Sequence, residues 1–197
     1  SDYPGFLVNR ALTHYLMEAM VLMDEGIAKD VIDRAAIDFG MPMGPVALAD
    51  QVGLDICLHV SESLKGHLDK PMPDISAALR EKVEAGETGK KAGRGFYDWS
   101  EGTPHPEPRA EGPDGLADRL ILPMLDACVE CLRKDVVGDP DEVDAALVFA
   151  TGFAPFRGGP MHYARSRGFS EVASKLSELA ERHGPRFTPD AGWSGFG

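Results

Sequence analysis

The first residue whose type and setting could do chemistry is Asn9, in the segment Pro4-Gly5-Phe6-Leu7-Val8-Asn9-Arg10. A neutral amide can orient a substrate and stabilise developing charge without itself titrating. Taken alone, an asparagine near the start of a helix is more often a cap or turn residue. The residue type therefore leaves two interpretations, catalytic or capping, and the surrounding sequence has to decide between them.

The cysteines and histidines give no pattern of a metal or disulfide site. Cys128 and Cys131 lie in one apolar stretch, and no second cysteine pair completes a four-ligand zinc site. We interpret both as buried structural thiols. The six histidines lack the His-x-x-x-His and His-Glu-x-x-His spacings. Three cysteines, with Cys57 the third, make no disulfide framework, so a reducing, cytoplasmic setting is predicted.

The element that must position Asn9 is a predicted helix from Phe6 to Glu25. Its apolar residues fall at helical spacing on one stripe, which other apolar residues widen. The stripe consists of Leu12, Leu16, Ala19 and Met23, and it is widened by Val8, Tyr15 and Leu22. The pattern predicts a helix that is buried on most sides.

The rest of the chain shows further helical segments separated by glycine and proline. They are predicted over residues 30–39, from Pro45, over 54–64, 75–85 and 116–134, from Asp139, from Pro160, and over 170–182. Pro123 predicts a kink in the 116–134 segment. The proline-rich segment 100–115 is predicted to be an extended, unpacked linker, and the tail 184–197 to be irregular. No strand alternation occurs, so the predicted fold class is all-α.

Two stretches of the chain are similar to each other, from Asn9 to about Asp55 and from Asp118 to about Ser170. Ile32-Asp33 aligns with Val143-Asp144, and Gly44-Pro45 aligns with Gly159-Pro160. Such a repeat predicts two related helical domains packed about a pseudo-two-fold axis. The predicted domains are residues 1–100 and 116–197, joined by a linker at 101–115. In the second copy Asp118 aligns with Asn9, so the amide is present in the first copy alone. One active-site face is therefore expected, not two.

Composition and charge exclude several classes of function. The formal net charge of −12 argues against nucleic acid and anionic membrane surfaces as partners. No apolar run approaches the length of a membrane span. The chain starts at Ser1 without an initiator Met or signal peptide, which we interpret as a fragment of a longer protein.

Together, the opening motif, the repeat and four further motifs resemble the C-terminal region of 3-hydroxyacyl-CoA dehydrogenases. The duplicated form resembles multifunctional β-oxidation enzymes of the fatty-acid oxidation complex α-subunit type. The four motifs are residues 40–45, 50–55, 93–99 and 151–160. The resemblance covers nearly the whole chain. It implies two helical domains of the 6-phosphogluconate dehydrogenase C-terminal type, packed as a pseudo-dimer.

The same resemblance implies where the catalytic parts lie. In that family a Rossmann domain binds NAD and carries the catalytic histidine, its orienting glutamate and a substrate-binding serine, and it precedes this region. This chain has no strand followed by a Gly-x-Gly-x-x-Gly turn, so no cofactor binding is expected here. Asn9 matches the family's catalytic and substrate-binding asparagine. Phe149 takes the place of a tyrosine credited with substrate contact; the competing interpretation is an aromatic residue on a helical core face.

The function implied is oxidation of a (3S)-hydroxyacyl-CoA to the 3-ketoacyl-CoA, with hydride passing to NAD. The implied partners are acyl-CoA, the missing Rossmann domain, and a second subunit or a thiolase. The alternative is a non-catalytic helical interaction or dimerisation module.

The resemblance does not assign the basic residues, which have more than one possible role. Lys90, Lys91 and Arg94 could meet a CoA phosphate or form a solvated loop. Arg10 and Arg119 are expected to bind inter-helix carboxylates, and Arg157 to lie at an interface.

Overall fold

The computed structural model describes residues 3–64, 70–108 and 110–196. Over these residues the chain is helical, with two isolated β-bridges and no named strand, which confirms the predicted all-α class. The helices are α1 Tyr3–Asp24, α2 Lys29–Phe39, α3 Pro45–Val52, α4 Leu54–Leu64, α5 Ala77–Glu84, α6 Leu116–Arg133, α7 Pro140–Thr151, α8 Pro160–Arg167 and α9 Phe169–His183. Every helix in these ranges is too short or too polar to traverse a lipid bilayer.

Local signals set several of the helix starts. α3, α7 and α8 each begin with a proline at the first helical position, where its missing N–H has no partner to lose. Asp139 caps α7, since its side chain accepts a hydrogen bond of 2.7 Å from the backbone N–H of Asp141. Ser76 caps α5 in the same way through the N–H of Leu79. α6 continues through Pro123.

The buried face of α1 differs from the predicted stripe. Leu7, Ala11, Tyr15 and Leu22 are fully buried, whereas Leu12 and Leu16 are only half-buried. The helix is apolar on more than one side, so the sequence spacing fits several faces. Packing against other helices determines which of these faces is buried. Which residues of the first turns of α1 are exposed therefore depends on the tertiary structure.

Two segments outside the α-helices make specific contacts with them. In the predicted linker, Pro106 is buried and its carbonyl accepts a hydrogen bond of 3.0 Å from Arg34 Nη2. In the tail, Phe187 and Trp193 are buried, and Trp193 Nε1 donates to Asp126 Oδ1 at 2.8 Å. Irregular backbone can thus still bury apolar side chains where a helix offers a surface.

The chain divides into two compact units. One comprises residues 1–15, 39–42 and 117–197, and the other residues 16–38 and 43–116. In the first unit α6 forms the centre, with Leu120, Leu122 and Leu125 fully buried. In the second, Ile32 and Val46 are fully buried members of the core.

The internal repeat has the same local geometry in both copies. Asp33 accepts hydrogen bonds from the N–H groups of Val46 and Ala47 at 2.8 and 3.0 Å, at the start of α3. The aligned Asp144 accepts them from Met161 and His162 at 2.6 and 3.1 Å, at the start of α8. In each copy an aspartate from the preceding helix therefore caps the helix that begins at the Gly-Pro pair.

Candidate functional site

Asn9 lies in the first third of α1 with an exposed side chain. Its backbone carbonyl accepts a hydrogen bond of 2.7 Å from Thr13 Oγ1, while its side-chain amide forms no hydrogen bond with any described residue. The capping interpretation is wrong, because α1 already begins at Tyr3. One turn earlier, Phe6 is 51% exposed. The amide is therefore available to a group from outside the described chain.

The neighbouring Arg10 anchors this part of α1 to α6. Its Nη2 donates to Glu130 Oε1 at 2.7 Å, and both side chains are mostly buried. The expected structural role of Arg10, binding an inter-helix carboxylate, is confirmed. Arg119, the aligned residue of the second copy, is 8% exposed.

The residue aligned with Asn9 has a different environment. The carboxylate of Asp118 receives two hydrogen bonds from the Arg167 guanidinium, at 2.7 and 3.0 Å. This pairing, together with the bonds from Arg167 to Tyr163 and Glu171, raises the pKa of Arg167 above its usual value. The fork geometry is the strong form of an arginine–carboxylate pair. The second copy thus uses this position in an internal ion pair, while the first copy leaves its amide open.

Phe149 lies near the end of α7 and is 90% exposed. The interpretation of Phe149 as a core aromatic is wrong, because the helix turns other residues, such as Val143 and Leu147, towards the interior. Phe149 forms no ring contact with any described residue, Asn9 included. Its large exposed ring is the feature of Phe149 that bears on a binding role.

The basic loop after α5 is partly engaged by carboxylates. Lys91 Nζ contacts both oxygens of Asp55 at 2.7 Å, and this hydrogen-bonded pairing lowers the pKa of Asp55. Lys90 lies 5.8 Å from the centre of the Trp99 ring. Arg94 Nη1 is 3.9 Å from Asp98 at the surface. These contacts favour the interpretation of a solvated loop over that of a phosphate site.

Arg157 caps the end of α2. Its Nε donates to the carbonyl of Phe39 at 2.9 Å, and its guanidinium lies 4.2 Å from the centre of the Phe39 ring. A cation at the last carbonyls of a helix is stabilising because it meets the negative end of the helix dipole. The arginine thus has a defined structural contact.

Two buried carboxylates organise the first copy and were not singled out from the sequence. Asp50 accepts from the N–H groups of Phe96 and Tyr97 at 2.9 Å and from Trp99 Nε1 at 3.0 Å. Asp33 also accepts from Tyr97 Oη at 2.8 Å. Burial raises the pKa of Asp33 to about 6, against the opposing effect of its hydrogen bonds. The alignment of Asp33 with Asp144 was visible in the sequence. The groups that donate hydrogen bonds to them were not, because they lie at least 13 residues away.

The glycines of this region do not fit a dinucleotide. At Gly95 an added Cβ would overlap the Asp50 carboxylate, and at Gly89 it would overlap the Asp50 backbone. These glycines therefore permit close packing around the Asp50 side chain, which already accepts the nearby N–H groups of Phe96, Tyr97 and Trp99. No strand precedes them in the described ranges. The described glycines of this segment therefore do not form a dinucleotide-binding turn.

The cysteines have the character of inert core residues. Cys128 and Cys131 are buried, and burial raises the pKa of both thiols, that of Cys131 to about 11. A thiol that stays protonated at neutral pH is a poor nucleophile and metal ligand. In the described part of the chain no group of three potential ligands could hold a metal ion. His67 lies outside the described residues.

The fold is that of known dehydrogenase helical regions. The structure superposes on 3-hydroxybutyryl-CoA dehydrogenase of Escherichia coli K12 with a TM-score of 0.80 and 19% identity, over 98% of this chain and 59% of that one. The dehydrogenase part of multifunctional enzyme 1 from C. elegans gives a TM-score of 0.72 and 21% identity, over 98% of this chain and 48% of that one. At these identities the likeness defines the class of fold alone.

Sequence comparison matches the first half of the chain to a family model. Residues 5–99 match the family model of the 3-hydroxyacyl-CoA dehydrogenase C-terminal domain, so the resemblance inferred from the motifs is confirmed. The chain is 34% identical to the fatty acid oxidation complex subunit alpha of Vibrio vulnificus over 202 residues, and 35% identical to that of Vibrio parahaemolyticus over 204 residues. Each alignment covers 95% of this chain but 28% of the relative, so the chain spans little more than a quarter of these proteins.

Proposed function

We propose that the chain is the C-terminal part of an NAD-dependent 3-hydroxyacyl-CoA dehydrogenase of fatty-acid β-oxidation, in a multifunctional enzyme of lipid metabolism. The parent oxidises a (3S)-hydroxyacyl-CoA to the 3-ketoacyl-CoA. The observation that carries the proposal is the exposed Asn9 amide, which has no hydrogen-bond partner among the described residues while the aligned Asp118 is held by Arg167.

In this proposal the chain contributes binding and orientation. Oxidation of the hydroxyl requires a base for its proton and a hydride acceptor, and NAD, bound by the Rossmann domain of the parent, supplies the acceptor. The Asn9 amide orients the substrate oxygens and stabilises charge that develops on them. The exposed Phe149 ring is proposed to lie against the substrate and to act by apolar contact alone, since it has no hydroxyl.

The test is steady-state kinetics of the full-length parent enzyme with acetoacetyl-CoA and NADH. Asn9→Ala is expected to lower kcat by about 100-fold, as for loss of one donor to developing charge. Phe149→Ala is expected to raise KM with little change in kcat, because an apolar contact binds ground state and transition state alike. The control is Ser177→Ala, an exposed polar residue of α9, which is expected to leave both constants unchanged. Wild-type kcat in Asn9→Ala would refute the proposed role.

The partners, domains and compartment remain proposals of the same kind. Acyl-CoA and the Rossmann domain are proposed as partners, with a second subunit or a thiolase meeting exposed apolar residues such as Phe156, which is 73% exposed. Two related domains, residues 1–100 and 116–197, are proposed because both copies have the aspartate cap; the compact units differ from these boundaries by grouping residues 1–15 and 39–42 with 117–197. A cytoplasmic location is supported by three free cysteines. Wild-type kcat in Asn9→Ala would favour the alternative, a non-catalytic interaction module.

A further inference from the structure

We infer that Glu130 is a positioning residue for Asn9, acting through Arg10; the inference rests on the proposed function of Asn9. Arg10 follows Asn9 on α1, and Glu130 lies on α6. The two charged groups meet at 2.7 Å, with 18% and 11% of their side chains exposed. The contact therefore joins the helix that carries the proposed catalytic amide to the most buried helix of its compact unit.

The geometry of a helix couples Arg10 to Asn9. Successive residues of an α-helix are separated by about 100° around the axis. A rotation of α1 that turned the Asn9 amide would therefore move the Arg10 guanidinium away from Glu130. The fully buried Leu7 and Ala11 hold the same helix, but apolar contacts are non-directional and tolerate small rotations. A charge-assisted hydrogen bond is directional, so it opposes even a small rotation of the helix.

The cost of burying this pair points to orientation as its role. Buried ion pairs often add little net stability compared with apolar replacements, and setting register is their best-attested use. Arg10 Nε is itself buried without a hydrogen-bond partner in the described structure, so the guanidinium is not optimally solvated. The arrangement is a poor device for stability and a suitable one for fixing the angle of α1.

Glu130 has a second cation that provides a matched control. Lys134 Nζ contacts the same Oε1 at 2.8 Å, but Lys134 is four residues further along the chain from Glu130. Its contact therefore leaves α1 untouched. Replacing Lys134 removes one cation from Glu130 and keeps the Arg10–Glu130 contact. Replacing Glu130 removes the contact between Arg10 and α6.

The experiment is a double-mutant cycle in the full-length parent, again with acetoacetyl-CoA and NADH. Glu130→Gln keeps the size of the side chain and removes its charge. It is expected to lower kcat by about tenfold, since a substitution far from the chemistry that misplaces a reacting group by about 1 Å costs up to about 100-fold. In the Asn9→Ala background the same change is expected to have no further effect on kcat. Lys134→Met is expected to keep wild-type kcat.

Each outcome decides the inference. Wild-type kcat in Glu130→Gln, with Asn9→Ala impaired, overturns the inference and leaves the proposed function standing. An equal loss in both backgrounds shows that Glu130 acts elsewhere, and overturns it too. Wild-type kcat in Asn9→Ala alone overturns the proposed function and the inference together. If circular dichroism shows that Glu130→Gln is unfolded, Arg10→Lys, which keeps the charge and removes the Nη2 donor, replaces it in the same cycle with the same expected loss of kcat.

Discussion

Asp33 is the residue in which burial and hydrogen bonding oppose each other most clearly. Its side chain is fully buried and accepts from two backbone N–H groups and from Tyr97 Oη. The hydrogen bonds favour the charged carboxylate, but loss of water outweighs them, and the pKa rises from 3.8 to about 6. Burial of the charged carboxylate therefore destabilises the folded state, and protonation of Asp33 removes this destabilisation.

This shift predicts how the stability of the chain depends on pH. The pKa is higher in the folded state, so between pH 4 and pH 6 the folded chain binds more protons than the unfolded one. The contribution of Asp33 to stability is then fully present below pH 4 and is lost as the pH rises through about 6. Asp33→Asn is expected to cost about 2 kcal/mol more at pH 4.5 than at pH 7.

The measurement is urea unfolding of both chains at the two pH values. Groups that titrate in both chains cancel in the difference, which isolates Asp33. Glu181→Ala, an exposed acid of α9, is expected to show the same small effect at both values. Equal costs of Asp33→Asn at pH 4.5 and pH 7 would show that its folded pKa is close to 3.8.

At the scale of elements, the repeated feature is an aspartate that caps a helix from outside it. Asp33 and Asp144 each accept the first free N–H groups of a helix that follows a Gly-Pro pair. Gly44 and Gly159 are required there, because a Cβ on either would overlap the aspartate side chain. Aspartate, glycine and proline therefore form one local unit in each copy.

Loss of this cap predicts a measurable loss of stability. Asp144→Ala leaves two N–H groups at the start of α8 without their acceptor and is expected to reduce the free energy of unfolding by about 1–2 kcal/mol. Glu181→Ala, which removes an exposed carboxylate from α9, is the matched control and is expected to change it by less than about 0.5 kcal/mol. Equal effects of the two substitutions in urea unfolding would contradict the capping role.

At the scale of the whole molecule, the described residues include the open Asn9 amide, and the glycines near Asp50 do not form a dinucleotide-binding turn. The isolated chain is therefore expected to show no oxidation of NADH with acetoacetyl-CoA. The full-length parent, assayed alongside at the same molar concentration, is the positive control. A helical circular dichroism spectrum of the isolated chain excludes misfolding as the cause. Turnover in proportion to the chain concentration would contradict the division of labour proposed above.

Much of the fold followed from local physics. Glycine and proline punctuate the helices wherever the backbone requires them, so helix ends near Gly40, Pro45 and Pro160 were predictable from residue type. The repeat was visible because aligned residues keep the same spacing in both copies. The packed tail with Trp193 was not predictable, because its partner Asp126 is 67 residues away.

The amino-acid sequence by itself determined the helical class, the duplication and the motif around Asn9, since each depends on neighbours along the chain. Only the tertiary structure decided which of these residues face solvent. In the structure the Asn9 amide has no described hydrogen-bond partner, whereas the carboxylate of Asp118 is paired with Arg167. Phe149, which one interpretation placed in the core, is exposed. The physical reason is that exposure and pairing depend on residues far apart in the chain, which helical spacing does not specify.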